Sequence, residues 1–344
     1  MVGIPMIEIC RTVRRLVACG LLSAASVASM MSAVGAEEAE PIAAKHQFGF
    51  VLAPAKLEAR AIGFYAKGCM AGGTMLPVDG PAWQAMRLSR NRNWGLPVLV
   101  DFLGRFAEDL KTKENWPGLL IGDMSQPRGG PMLTGHASHQ TGLDADIWYM
   151  AMPSARMSWA ERELKEPLPL ANPEDTRVIK ANWNEGYYRV LRRAATYGEV
   201  ERILVHPAVK KALCDIAPKE DRAWLSKIRP MWGHNYHFHL RLACPAGAKG
   251  CVAQAPPPSG DGCGKPLEDW LKLVSRPPKP EKPAPPPDLT KKPAKRNVMT
   301  VADLPKDCTS VLAWQAPALM VPAAPALAEI PLPERKSTKV AAQR

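Results

Sequence analysis

The 344-residue sequence predicts an α+β fold in which a small antiparallel sheet carries a functional centre, flanked by helices and long loops. Three observations lead there. Leu143 to Met150 (LDADIWYM) and Tyr236 to Leu242 (YHFHLRL) alternate as strands do, which puts Asp144, Asp146 and Trp148 on one face of the first. In the second, His237, His239 and Arg241 share a face opposite Phe238, Leu240 and Leu242. Leu96 to Lys113 repeats apolar residues at helical spacing, and the elements follow one another with no regular βαβ rhythm and no internal repeat.

At the N-terminus, Arg11, Arg14 and Arg15 precede an uncharged run from Leu16 to Ala36 that closes on Val34-Gly35-Ala36 and is followed by Glu37-Glu38. That layout predicts a cleavable signal peptide over residues 1–36. A membrane anchor is the alternative, and the Ser and Gly content with the small-residue exit argues against it. Cys19 is not a lipidation site, because the apolar run follows it instead of preceding it. No later stretch reaches about 18 apolar residues, so no integral membrane segment is expected after cleavage.

Cysteine usage agrees with export. Beyond Cys10 and Cys19 there remain Cys69, Cys214, Cys244, Cys251, Cys263 and Cys308, with no C-x2-C pair for a thiolate zinc site. An even number in an exported chain predicts three disulfides, with about 15 pairings open.

The globular domain is expected over residues 37–275. After the helix at Leu96, Gly118 to Gly122 reads as a short buried strand and Val200 to Val205 as another, with His206-Pro207 opening a helix over Ala208 to Cys214. Of the 35 prolines, 18 fall from Pro256 onward, and residues 276–300 read as an extended Pro/Lys-rich linker that cannot bury a core. A segment at 301–310 then carries Cys308, and 311–344 is expected to be a disordered tail.

Composition narrows the function classes. With 46% hydrophobic and 23% charged residues the chain is globular in character. Its formal charge is +12, and removing residues 1–36, with three arginines and one glutamate, leaves +10. A basic chain suits nucleic acid, anionic lipid or a cell-wall polymer. Export and an aromatic content of 6% argue against nucleic acid.

The most informative feature is the histidines. Five of seven sit in two short segments, His136 and His139 in GHASHQTGLDADIW and His234, His237 and His239 in WGHNYHFHL. His237 and His239, two apart on a strand, can meet one centre. Asp146 lies seven residues after His139, and Gly142 between them permits the turn that brings both side chains back to one point. Imidazole and carboxylate ligands suit zinc, and three protein ligands leave a position at which water is ionised near neutral pH. A non-haem iron triad commonly sets its first His and carboxylate two residues apart, which His139 and Asp146 are not.

These segments resemble a known family. Ser138 to Asp146 resembles the His/Asp box of the metallopeptidase superfamily that contains lysostaphin, D-alanyl-D-alanine peptidases and the hedgehog N-terminal domain, and His237-Phe238-His239 resembles its H-x-H box. More closely, GHASHQTGLDADIW, Gly122-Asp123-Met124 and the run from His234 to His239 resemble the penicillin-insensitive murein endopeptidases, over roughly residues 47–310. The resemblance implies that His139, Asp146 and His239 bind one catalytic zinc ion, that His237 and His234 act as acid/base or transition-state partners, and that His136 is a nearby site residue. A second metal, which some members bind through a downstream Asp and His, is not expected, because Asn172 to Trp183 holds no His. The implied pairs are Cys69–Cys308, Cys214–Cys263 and Cys244–Cys251.

The implied substrate is crosslinked peptidoglycan in the periplasm, and the reaction is hydrolysis of the D-alanyl–meso-diaminopimelyl amide, insensitive to β-lactams because no serine is acylated. A D,D-dipeptidase or carboxypeptidase on the same fold would need a site closed at one end. A non-catalytic, metal-stabilised binding module is the third reading. The sequence leaves the oligomeric state open, a homodimer included.

Overall fold

The computed structural model describes residues 41–276 and 298–315. The expected signal peptide, nearly all of the linker, and the tail from 316 onward lie outside the described residues.

In chain order the elements are α1 (Ala44–Gly49), β1 (Arg60–Phe64), β2 (Lys67–Ala71), β3 (Thr74–Met75), β4 (Asp79–Gly80), β5 (Trp83–Ala85), β6 (Trp94–Gly95), α2 (Pro97–Lys113), β7 (Leu119–Ile121) and β8 (Asp144–Ala151). They continue with α3 (Trp159–Leu164), α4 (Glu185–Thr196), β9 (Val200–Val205), α5 (Pro207–Ile216), β10 (Ile228–Pro230), β11 (His237–Leu242), α6 (Lys265–Val274) and α7 (Asp307–Ala313). The α+β class holds. The strands around the site, β9, β11, β8 and β7, pair antiparallel, and the sheet is larger than expected: seven strands in the order β10-β9-β11-β8-β7-β5-β4. Two parallel pairs, β9 with β10 and β5 with β7, extend it. Trp83–Ala85 and Ile228–Pro230 are too short to show alternation and, unlike Leu119–Ile121, are no run of large aliphatic residues between glycines, so neither is legible as a strand in the sequence.

One face of this sheet packs on helices. In α2 the apolar residues Leu99, Phe102, Leu103, Phe106 and Leu110 recur at i+3 and i+4, and all are buried. Pro97 sits at the first turn, where its missing N–H costs nothing, and Lys111 and Lys113 lie in the last turn, where the helix dipole favours cations. This stripe shares one core with Ala145, Ile147 and Tyr149 of β8 and Phe238, Leu240 and Leu242 of β11. The opposite face of those two strands is left for Asp144, Asp146, His237, His239 and Arg241. That face is buried as well, which is why the alternation marks chemistry here and not solvent.

The hairpin β1–β2 packs with α1 and α7 in a second core of Phe48, Ile62, Ala71, Leu304 and Val311. Because α7 runs to Ala313 and buries Val311, the ordered segment extends beyond the expected boundary at residue 310. Three cysteine pairs stand at disulfide distance, Cys69–Cys308, Cys214–Cys263 and Cys244–Cys251, the pairs that the resemblance implies. Among the described residues no helix is long and apolar enough to cross a membrane.

Candidate metal centre

Strand register assembles half of the centre. Antiparallel pairing of β8 with β11 sets His239 opposite Asp146, Arg241 opposite Asp144 and His237 opposite Trp148, so cross-strand neighbours on one face meet. His239 Nδ1 then lies 3.2 Å from Asp146 Oδ1.

A loop supplies the other half. Gly142 has φ +73°, and a Cβ there would stand 2.1 Å from Met70 Sδ, so the turn between His139 and Asp146 requires glycine on both counts. His139 itself takes a left-handed φ of 68°. Its N–H donates to Asp144 Oδ2 at 3.0 Å and its carbonyl accepts from Ser125 Oγ at 2.5 Å, contacts that hold this costly conformation in place. The result brings His139 Nε2 to 3.4 Å from Asp146 Oδ1.

His136 arrives at the same carboxylate, with Nδ1 3.3 Å from Asp146 Oδ2 and Nε2 2.9 Å from Asp123 Oδ2. His136, His139 and Asp146 offer ligand atoms that all lie within 4.8 Å of one another. His136 is therefore inside the cluster, closer than a neighbouring residue. His237 Nε2 stands 3.5 Å from Asp146 Oδ2, and the His234 ring is 5.1 Å from that of His237. The two remaining histidines stay away: His206 caps α5 by accepting from Ala208 N–H, and His46 lies on α1.

The buried charges explain one another. Asp144, fully buried, receives Arg241 through Nε at 2.8 Å and Nη2 at 2.9 Å, the bidentate pairing of a guanidinium with a carboxylate. Burial would raise the Asp144 pKa, but Arg241 and His239 hold it well below the usual range. Asp146 is likewise held low against burial, by His237 and His139. Burial lowers His139 and His237, favouring their neutral forms. For His239 burial is outweighed by Asp144 and Asp146, which raise it to about 9.

Buried polar atoms without partners test the fit to a metal. Among the described residues, both ring nitrogens of His139 and Oδ1 of Asp146 are buried with no hydrogen bond. Such atoms are costly unless something else binds them. An imidazole and a carboxylate oxygen facing each other at 3.4 Å without a bond fit a divalent ion held between them, and the sulfur-free donor set suits zinc.

The profile of the family described as penicillin-insensitive murein endopeptidase matches residues 61–313. The chain belongs to that family. Relatives in it share much of their sequence with this chain. A penicillin-insensitive murein endopeptidase of Yersinia enterocolitica is 41% identical over 250 residues, 72% of this chain and 89% of the relative. One from Haemophilus influenzae is 44% identical over 223 residues, 65% of this chain and 76% of its own length. One from Klebsiella pneumoniae is 42% identical over 224 residues, covering 64% and 78%.

In this murein endopeptidase family member, a set of charged partners around buried Asp123 escaped sequence reading. Asp123 Oδ2 accepts from Arg90 at 3.0 Å and Arg92 at 2.9 Å in addition to His136. Burial raises its pKa, and these three partners outweigh burial and hold it at about 2. The Gly122-Asp123-Met124 triplet was visible, but nothing in it announces two arginines some 30 residues upstream.

Proposed function

We propose that this chain is a zinc-dependent endopeptidase that hydrolyses D-alanyl–meso-diaminopimelyl amide crosslinks of peptidoglycan in the periplasm. The observation that carries the reading is the convergence of His136, His139, His237 and His239 on Asp146, with His234 beside His237, between two cavities. A cavity of about 410 Å³ borders His136, Asp146 and Trp148, and another of about 720 Å³ borders His139, His239 and Trp232. Both reach Asp123, His136 and His237. Two cavities that share these residues offer space for chain on either side of a scissile bond, as a bond inside a polymer requires, whereas a carboxypeptidase needs one end closed.

His139, Asp146 and His239 would hold the ion, with His136 facing the same point. Zinc, when bound, supplies Lewis acidity toward the amide carbonyl and toward water. The remaining work falls to the chain. His237 is buried and its Nδ1 has no partner among the described residues, so at neutral pH it is an imidazole able to accept a proton. His234 places Nδ1 2.6 Å from the Trp232 carbonyl, which fixes the proton on that nitrogen and leaves Nε2 as the acceptor. Burial lowers His234 to about 3, so it too is neutral near pH 7. Of the two, His237 is suited to take a proton from water and return it to the leaving amine, and His234, a much weaker base, would serve as a hydrogen-bonding partner of the transition state. With no serine acylated, β-lactams have nothing to trap.

Residues 1–36 would direct export, 276–300 would serve as a linker, and the three buried or half-buried disulfides accord with an oxidising compartment. The test is to incubate zinc-loaded protein with crosslinked muropeptides and identify new termini by mass spectrometry. New D-alanine carboxyl and diaminopimelyl amine termini, lost with a chelator and restored by zinc, are expected. Intact crosslinks after incubation with the loaded wild type would defeat the reading.

A further inference from the structure

The 410 Å³ cavity is lined by two arginines that the metal chemistry leaves unexplained. Its lining includes Arg87 and Arg90, which flank the metal cluster through Trp148 and Asp123. Arg87 sits at φ 54°, ψ 50°, and Asn91, just past the turn Leu88–Arg90, at φ 51°, ψ 45°. Two non-glycine residues in the left-handed region around one short turn are uncommon, and such geometry persists only where surrounding contacts impose it. Those contacts are present: the backbone N–H and hydroxyl of Ser89 donate to Glu163 at 2.7 and 2.9 Å.

The turn delivers both guanidinia to the cavity. Arg87 lies over the Trp148 ring, 5.3 Å from its centroid, and donates one hydrogen bond to the Lys165 carbonyl at 2.9 Å. Trp148 is two residues beyond Asp146 on the same strand face, so Arg87 is held next to the metal cluster with most of its five N–H donors still available. Arg90 contacts Asp123, but that single carboxylate already faces Arg92 and His136, and the Arg90 side chain is 47% exposed. The same lining holds three carboxylates, but Asp123 is taken up by Arg90, Arg92 and His136 and Asp146 faces the histidines of the cluster, which leaves Glu166, exposed, beside the two guanidinia.

We propose that Arg87 and Arg90 form a carboxylate subsite beside the metal centre, which takes the carboxylate on the carbon that bears the scissile amide nitrogen. This rests on the endopeptidase reading above, because in that substrate the diaminopimelyl residue carries such a group on the carbon bonded to the nitrogen that leaves. Paired guanidinia match a carboxylate in charge and in planar donor geometry. Arg90, Asp123, His136 and Asp146 touch in sequence at 3.0, 2.9 and 3.3 Å, so a carboxylate on Arg90 would sit close to the reacting amide.

The experiment compares two crosslinked muropeptides that differ only at that group, free acid against primary carboxamide. The wild type should favour the acid in kcat/KM by about 10- to 100-fold, chiefly through KM. Arg87→Gln and Arg90→Gln should each narrow the preference, and the double variant should bring it within about threefold. Melting temperatures establish folding; should Arg87→Gln fail to fold, Arg90→Gln, at an exposed side chain, and the wild-type preference itself still decide. Equal cleavage of acid and amide by the wild type, or an undiminished preference in folded Arg90→Gln, overturns the subsite while leaving the endopeptidase reading intact. Cleavage of neither substrate overturns both.

Discussion

Replacing Asp144 tests whether the centre is held from beneath. This carboxylate is fully buried, accepts two bonds from Arg241 at 2.8 and 2.9 Å and one from the His139 amide at 3.0 Å, and stands 3.4 Å from His239 Nε2. Asp144→Ala leaves Arg241, whose side chain is 7% exposed, as a buried cation with the Gln254 side chain at 2.6 Å, the Tyr65 ring and the more distant charge of Glu201 but no carboxylate in contact. Breaking a buried pair by removing one partner costs about 3–5 kcal/mol. For a domain of this size that is a fall in melting temperature on the order of 10 °C. Loss of a carboxylate that orients two metal-facing histidines should also weaken zinc binding about 10- to 100-fold, measured by competition with a chromogenic chelator. The double variant Asp144→Leu/Arg241→Met removes both charges and should recover much of the stability. Its zinc affinity should stay low, since the His139 amide has lost its acceptor. A milder Asp144→Asn variant whose melting temperature and zinc affinity both match the wild type would refute the argument.

Three further outcomes follow from the same geometry. Asp146→Ala should lose zinc and activity together, whereas His237→Ala should keep zinc, as read by elemental analysis, and lose turnover; full zinc occupancy in Asp146→Ala would contradict the ligand assignment. His239, raised to about 9 in the metal-free protein, must shed a proton to bind an ion, so apparent zinc affinity should rise about tenfold per pH unit up to that value. Calorimetry in buffers of different ionisation heat should register the released proton, and a pH-independent affinity would count against it. The same shift is a stability statement: the charged His239 stabilises the metal-free fold below an unfolded pKa of about 6.5, and that contribution is lost as pH rises through about 9. Finally, the Cys69–Cys308 link spans 239 residues, and replacing both cysteines with serine should cost about 5–6 kcal/mol in the ideal chain-entropy limit. Thermal unfolding of the variant without any loss would show that the second core of Phe48, Leu304 and Val311 holds α7 unaided.

Much of the site was legible in one dimension because its parts are local patterns. Alternation in LDADIWYM and YHFHLRL placed Asp144, Asp146, His237, His239 and Arg241 on strand faces, since side chains alternate whatever the partner strand. Gly142 marked a turn because only a residue without Cβ fits against Met70. The α2 stripe followed from helical spacing, and the six cysteines announced crosslinks, although the pairing came only with the family resemblance. By contrast, α4 went unread despite Asn184 as its cap and the apolar spacing of Tyr187, Val190, Leu191 and Ala194. That signal was present in the residues.

What remained belongs to distance and register, which no local pattern encodes. Whether Arg241 meets Asp144 or a neighbour depends on the pairing of β8 with β11, and a slip of one residue would have turned every ligand away from the centre. Asp123 gathers Arg90 and Arg92 from a segment some 30 residues before it and His136 from 13 residues after it, and it holds the far nitrogen of His136 while the near one faces Asp146. The chain alone determined which chemistry was available, because residue type and spacing set what donors a strand or turn can offer. Tertiary structure decided which donors share a point, because burial makes an unpaired charge so costly that only one arrangement of carboxylates, guanidinia and imidazoles satisfies them together.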